Sequence, residues 1–152
     1  MMKQRSDVDF IFLTKRIHRF MQCVPPDWGD GYDNVIVGCV IKNQATADER
    51  LTIFNKLPIK HKNIIVQPFL ERVNIEKYLK NISLVVSSGT ANKGRPLSSE
   101  WVVDLRNQSH KQNVAYQFRS TGTRLMEYGN PVKRTARELP QECLVSAEDP
   151  FD

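Results

Sequence analysis

The sequence predicts an α/β fold built on a largely parallel sheet. Apolar segments of strand length alternate with segments in which apolar residues recur at helical spacing, and the connections between them are short. The segment 35–41, VIVGCVI, is apolar almost throughout, which suggests a sheet covered on both faces. About five strands are expected, fewer than the eight of a closed barrel. We therefore predict an incomplete (β/α) barrel or an open sheet of βα units.

Each element is predicted from its own pattern. The strand segments are 8–14, 35–41, 64–69, 84–87 and 114–119. The helical segments are 15–21, 47–57, 75–79 and 101–108, and Pro58 is expected to end the second of them. We assign residues 1–125 to one partial-barrel domain and residues 126–152, in which charges and prolines replace the periodic pattern, to a loosely packed tail.

Composition limits the class of protein. A chain of 152 residues with a net charge of +5 suits a single domain, and this charge permits an acidic partner without requiring one. The three cysteines, Cys23, Cys39 and Cys143, lack metal-ligand spacing, which favours a reduced, cytoplasmic protein without a metal site. No apolar run approaches the roughly 18 residues of a membrane span, so no membrane partner is expected.

The carboxyl ends of the predicted strands locate the candidate ligand site. In parallel α/β folds, ligands bind beyond these ends. The candidate ligand-binding residues there are Lys15, Arg16, Asn43, Gln44, Gln67, Ser88, Gly89, Arg95 and Arg119. The cations among them indicate a phosphate-bearing ligand or nucleic acid. No catalytic residue can be named, because the three histidines lie in separate segments without a recognisable catalytic spacing.

The stretch SSGTANKGRP, residues 87–96, resembles a phosphate-binding loop but departs from the Walker pattern. That pattern requires Lys and then Ser or Thr after its second glycine, whereas Arg95 and Pro96 follow Gly94 here. Two interpretations remain open. Arg95 supports a weaker anion site before a helix N-terminus, or Gly89 and Gly94 form turns while Ser98 caps the helix.

Five stretches together resemble a known family. They are DFIFLTKRIHRF, NVIVGCVIKNQATADERLTIFNKLP, IIVQPFLERV, LVVSSGTANKGRPLSSEWVVDLRNQ and VAYQFRSTG. Their order is similar to that of an uncharacterised phage-associated family that resembles radical S-adenosylmethionine enzymes. The resemblance covers about residues 7 to 125 and places the chain in the C-terminal part of the longer proteins. It implies an incomplete barrel and, in those relatives, S-adenosylmethionine and a [4Fe–4S] cluster.

The departures from this family concern its chemistry. The family carries a three-cysteine cluster motif, whereas the cysteines here are too far apart for one cluster loop, so no cofactor is expected for this chain alone. Gln67-Pro68 stands where the family has Glu-Pro, and SSGTA, residues 87–91, where it has GGESG. The retained residues are Lys15, Asn43, Gln44, Asp48, Arg50, Arg95, Pro96, Trp101 and Asp104.

Three functional hypotheses follow. The first is a relative of radical S-adenosylmethionine-like proteins without independent radical catalysis, and the second is a binding module for phosphate ligands or nucleic acid. A small enzyme of another class is the third. Since five strands leave a sheet edge uncovered, we expect a homodimer or a second chain that completes the sheet.

Overall fold

The computed structural model describes residues 1–90 and 95–132. Its strands are β1 (Phe10–Thr14), β2 (Val35–Ile41), β3 (His61–Val66), β4 (Leu84–Ser88), β5 (Leu97–Ser98), β6 (Ala115–Ser120), β7 (Leu125–Glu127) and β8 (Asn130–Val132). Its α-helices are α1 (Phe20–Cys23), α2 (Gln44–Phe54) and α3 (Ser99–Lys111), and 3-10 turns lie at Ile17–Arg19 and Glu76–Tyr78.

The main sheet has five parallel strands in the order β1-β2-β3-β4-β6. Each strand therefore pairs with the next one of this sheet along the chain. The described strands form an open sheet with edges at β1 and β6, which confirms the α/β prediction in its open-sheet form. A small second sheet, β5-β7-β8, lies outside the predicted pattern, because strands of two or three residues are too short to show a periodicity.

The helices pack on one face of the main sheet. The core there contains alternate residues of the strands, such as Val37, Ile64 and Val85, with Leu51 of α2 and Leu105 of α3. Every buried apolar residue of the described helices belongs to this cluster. We call the opposite side of the sheet the open face.

The open face carries a separate small cluster of Val40, Ile65 and Val86. At the β1 end of this face, Ile11 is 64% exposed and Leu13 is 56% exposed. The expectation that both faces are covered therefore fails at β1. The apolar run of β2 reflects its central position, where side chains of β1 and β3 flank it on both sides. Strand β1 is at the edge and has a neighbouring strand on one side only, so its side chains are less buried.

Other element bounds differ from the predictions in ways that have local causes. The segment after β1 forms a 3-10 turn followed by one α-helical turn, rather than a continuous helix. Helix α2 ends at Phe54, four residues before Pro58, and a hydrogen bond from Ile59 N to Leu57 O (2.9 Å) forms the turn that follows. The predicted tail begins with the β7–β8 hairpin, and residues 133–152, including Cys143, lie outside the described residues.

Candidate functional site

A groove of about 600 Å³ lies on the open face, where β1, β2 and β3 reach their carboxyl ends. Its lining residues are Leu13, Thr14, Lys15, Arg16, Val40, Ile65, Gln67 and Pro68. Three predicted ligand-binding residues, Lys15, Arg16 and Gln67, are thus brought together from two strands that are not neighbours. We call this the strand-end groove.

The floor of the strand-end groove is apolar and its rim is polar. Val40 and Ile65 lie opposite each other in the β2–β3 register and are 8% and 7% exposed. Gly38 allows Leu13 to lie across the sheet beside them, since a Cβ on Gly38 would be 2.5 Å from Leu13 Cδ2. The floor is therefore pre-formed by packing within the sheet.

The rim residues have exposed side chains on an ordered backbone. Arg16 N donates a hydrogen bond to Thr14 Oγ1 (3.0 Å), and Gln67 N donates one to Ile41 O (3.0 Å). Lys15, Arg16 and Gln67 are all exposed. The strand ends thus fix where these side chains begin and leave their polar ends accessible to a ligand.

Asn43 and Gln44 have structural partners. Asn43 Oδ1 accepts from Thr46 N (3.0 Å) while Thr46 Oγ1 accepts from Asn43 N (3.1 Å), a capping box that begins α2. Gln44 Nε2 donates to Asn74 O (3.1 Å), and Gln44 Oε1 accepts from Asn74 N (2.7 Å). These two side chains organise the β2–α2 junction.

Ser88 and Gly89 form a close contact between two loops. Gly89 N donates to Ser120 O (2.8 Å), and a Cβ at Gly89 would lie 2.2 Å from the carbonyl oxygen of Thr121. Ser88 is 6% exposed, and its hydroxyl lies 3.4 Å from Ser120 Oγ. A side chain at this position would collide with Thr121, so the close approach requires glycine. The backbone conformation does not require it, since φ of Gly89 lies outside the left-handed region.

Arg95 precedes β5, and Arg119 lies near the carboxyl end of β6. Both are exposed, and Arg119 stands at the irregularity where β6 shifts register against β4. Neither is among the lining residues of the strand-end groove. Gly94 lies outside the described residues.

Helix α3 begins without the predicted side-chain cap. Ser98 occupies the N-cap position, but its hydroxyl donates to Glu100 Oε2 (3.0 Å) and makes no capping bond to the backbone. Asp48 lies beyond the first turn of α2. A hydrogen bond from Tyr78 Oη (2.7 Å) lowers the pKa of Asp48, with a smaller contribution from Gln44.

The carboxylates near this edge are engaged by the protein. Glu71 Oε1 accepts from Gln44 N (2.9 Å), and Asp48 pairs with Tyr78 and Lys77. Neither lines the strand-end groove, whereas Lys15 and Arg16 do. The charged residues that line the groove are therefore cations, and the resulting positive electrostatic potential favours an anion.

The described cysteines do not fit a cluster-binding motif. Cys39 is fully buried in the core, and this burial raises the pKa of its thiol to about 12, which disfavours the thiolate that iron requires. Cys23 is exposed on α1. In the ranges 1–90 and 95–132, no group of three or more His, Cys, Asp or Glu side chains is placed to hold a metal ion.

Comparison with known proteins gives one finding. A family model matches residues 1–143 of the chain. The chain belongs to the DUF5131 family. The proteins of that family are described as being of unknown function. The match includes every strand of the main sheet of this DUF5131 chain and every candidate ligand-binding residue. No curated protein and no solved structure matches the chain.

Sequence reasoning missed the floor of the strand-end groove. Leu13, Val40, Ile65 and Pro68 are apolar, whereas the predicted site consists of polar residues and a glycine near the strand ends. The residues of β1 are apolar on both faces of the strand, so the sequence carries no signal that identifies the open face. Within the described part of this DUF5131 chain, no helix is both long enough and apolar enough to cross a bilayer.

Proposed function

We propose that this chain binds a small anionic ligand, with a phosphate group and an apolar or aromatic body, in the strand-end groove. The observation that carries the proposal is the placement of Lys15 and Arg16 on the rim of a groove with an apolar floor. Such a combination suits a ligand whose charged group meets the cations while its body covers Val40 and Ile65. Arg is suited to this position because its planar guanidinium makes two parallel hydrogen bonds to a phosphate.

The rim supplies a third polar group that limits which ligands fit. The side-chain amide of Gln67 has two N–H donors and one carbonyl acceptor, so it can bind a hydroxyl or a ring nitrogen without adding charge. Together, the three rim side chains favour a nucleoside monophosphate over inorganic phosphate. The nucleoside would provide the body, and the phosphate would meet Lys15 and Arg16.

The proposal is tested by isothermal titration with adenosine monophosphate, adenosine and inorganic phosphate. We expect the monophosphate to bind more tightly than either fragment, with affinity that falls as salt is added. Arg16→Ala should weaken its binding by about 1.5 to 3 kcal/mol, the range for a hydrogen bond to a charged group. Lys56→Ala is the matched control, because it removes an exposed cation from the α2–β3 connection, near the amino ends of the strands.

Two results would contradict the proposal. One is equal affinity for adenosine and its monophosphate, since this would mean that the cations do not recognise the phosphate. The other is an equal loss of affinity in Arg16→Ala and Lys56→Ala, since this would mean that binding follows overall charge. Titration with a single-stranded oligonucleotide tests nucleic acid as the ligand, in which case Arg119→Ala should also weaken binding.

We also infer that the chain corresponds to the C-terminal part of radical S-adenosylmethionine-like proteins and has no radical activity of its own. The order of the matching sequence stretches supports this relationship. The burial of Cys39 supports the absence of a cluster on this chain. The free thiols of Cys23 and Cys39 are consistent with a reducing compartment, and we infer a cytoplasmic location.

A further inference from the structure

We propose that β1 pairs in antiparallel fashion with β1 of a second copy of this chain, across a two-fold axis that passes by Phe12. This pairing joins the two five-stranded sheets into one continuous sheet. Leu13 and Lys15 belong both to this edge strand and to the lining of the strand-end groove, so the pairing is tested without ligand, and the two proposals can fail separately.

The side chains of β1 are unusually apolar and exposed for an edge strand. Ile11, Phe12 and Leu13 are 64%, 44% and 56% exposed. Natural edge strands are normally covered or carry charges that discourage pairing with another chain. Within residues 1–90 and 95–132, no strand pairs with the outer edge of β1, and its middle residues carry no charge, so it presents an apolar template for another strand.

The backbone of β1 determines which residues can pair outward. Phe10 N donates to Asn34 O (2.8 Å) at the start of β2, so Phe10, Phe12 and Thr14 direct their backbone groups towards β2. Because these groups alternate in direction along a strand, those of Ile11 and Leu13 face away from the sheet. An added strand must therefore form its hydrogen-bonded pairs at these two positions.

A two-fold axis at Phe12 meets this requirement. It places Ile11 opposite the partner's Leu13, and each of these pairs exchanges both backbone hydrogen bonds. Two residues further from the axis, at the next position of this kind, Asp9 comes opposite the partner's Lys15. Asp9 and Lys15 are both exposed. The same axis therefore aligns apolar residues at the centre and opposite charges at both ends.

The charges distinguish this register from its neighbours. An axis at Ile11 also satisfies the backbone, but it places the Asp9 carboxylate opposite the partner's Leu13. An axis at Leu13 places Ile11 opposite the partner's Lys15. Only the axis at Phe12 makes the segment self-complementary, and this property identifies the occupant of the edge as a second copy of the chain.

The helix-side face of β1 provides additional apolar surface for the same interface. A groove of about 440 Å³ lies there, and its lining includes Phe12, Phe20, Val24, Pro25 and Trp28. The axis brings the partner's Phe12 next to Phe12 on this face. The two rings then cover the β1 side of both grooves, and aromatic side chains of this kind contribute strongly to interfaces.

The test is a charge exchange, measured by analytical ultracentrifugation without ligand. We expect the unmodified protein to dimerise, and Asp9→Lys and Lys15→Asp each to raise the dissociation constant by about tenfold, because each change makes two attractive pairs repulsive. The double variant, Asp9→Lys with Lys15→Asp, should return to within about threefold of the unmodified protein, since both pairs are restored with reversed sign.

The control variant separates this pairing from a general effect of surface charge. Glu49→Lys reverses a charge on the exposed surface of α2 and should leave dimerisation unchanged. All the changed residues are exposed, so thermal melting should show that each variant remains folded. A monomer at every concentration would overturn the proposal. So would a double variant that dimerises as weakly as the single variants, because the register would then be wrong.

Discussion

At the scale of single residues, two glycines show that space, as well as backbone conformation, selects this amino acid. Gly38 lets Leu13 lie across the sheet, and Gly89 lets the loop after β4 touch the loop after β6. Gly29, in contrast, has a φ of +54° and no neighbour near its missing Cβ. The first two positions need glycine for packing and the third for its conformation.

Gly89→Ala is expected to destabilise the fold through a collision. The added Cβ would lie 2.2 Å from the Thr121 carbonyl oxygen, so the two loops must separate. We expect a loss of about 1 to 3 kcal/mol in the free energy of unfolding, the range for overpacking, measured by urea denaturation. Gly29→Ala is the comparison, since its cost comes only from a left-handed backbone, about 1 to 2 kcal/mol.

The two glycine variants should differ in where their effects appear. In Gly89→Ala, amide exchange should accelerate in the segments around Ser120 and Thr121, because their contact with Gly89 opens. In Gly29→Ala, the change should stay in the loop before β2. Equal exchange profiles for the two variants would contradict a collision at Gly89.

At the scale of elements, the junction between β2 and α2 is held by side chains that resemble ligand-binding residues in the sequence. Asn43 and Thr46 form the capping box, and Gln44 joins the start of α2 to Asn74. Helix α2 packs on the sheet through Ala47, Leu51 and Phe54. The junction therefore positions a helix that contributes to the main core.

Asn43→Ala tests this structural role. Loss of the cap leaves the Thr46 amide without its acceptor and should lower the free energy of unfolding by about 0.5 to 2 kcal/mol. Asn43→Asp should retain most of the stability, because aspartate also accepts hydrogen bonds at an N-cap. Chemical denaturation of both variants provides the measurement. Equal losses in the two would indicate that the amide nitrogen, and not the cap, matters.

At the scale of the whole molecule, the described helices pack on one face of the sheet, and among the described residues the other face is formed by the strands. This asymmetry places Cys39 in the core between sheet and helices, fully buried, and the burial raises the pKa of its thiol to about 12. Cys23 lies exposed on α1. Modification of Cys39 therefore requires the core to open, whereas Cys23 is accessible in the native protein.

Alkylation with iodoacetamide, followed by peptide mapping, should distinguish these thiols. Cys23 should react in the native protein at pH 8, whereas Cys39 should react only after unfolding in urea. Because the raised pKa keeps the Cys39 thiol protonated, raising the pH to 9 should still leave Cys39 protected in the native protein. Rapid labelling of Cys39 in the native state would contradict the packing of the core.

Local patterns along the chain were enough to predict the five strands of the main sheet and their parallel arrangement. Strand-length apolar runs such as β2 and helical spacing such as that of α3 are local signals, so the chain order reveals them without tertiary information. The position of Lys15, Arg16 and Gln67 at the carboxyl ends also followed, since every parallel βα unit directs these ends to one edge.

Tertiary contacts, in contrast, determine which face of the sheet remains open and which polar residues are available. Asn43 and Gln44 were predicted as site residues from their place after β2, and the structure adds that both side chains have partners within the protein. A capping side chain and a ligand-binding side chain have the same chemistry, so only the partner atoms distinguish these roles. The apolar floor formed by Val40 and Ile65 depends on the register between β2 and β3. Register and partners are non-local properties, and local periodicity carries no information about them.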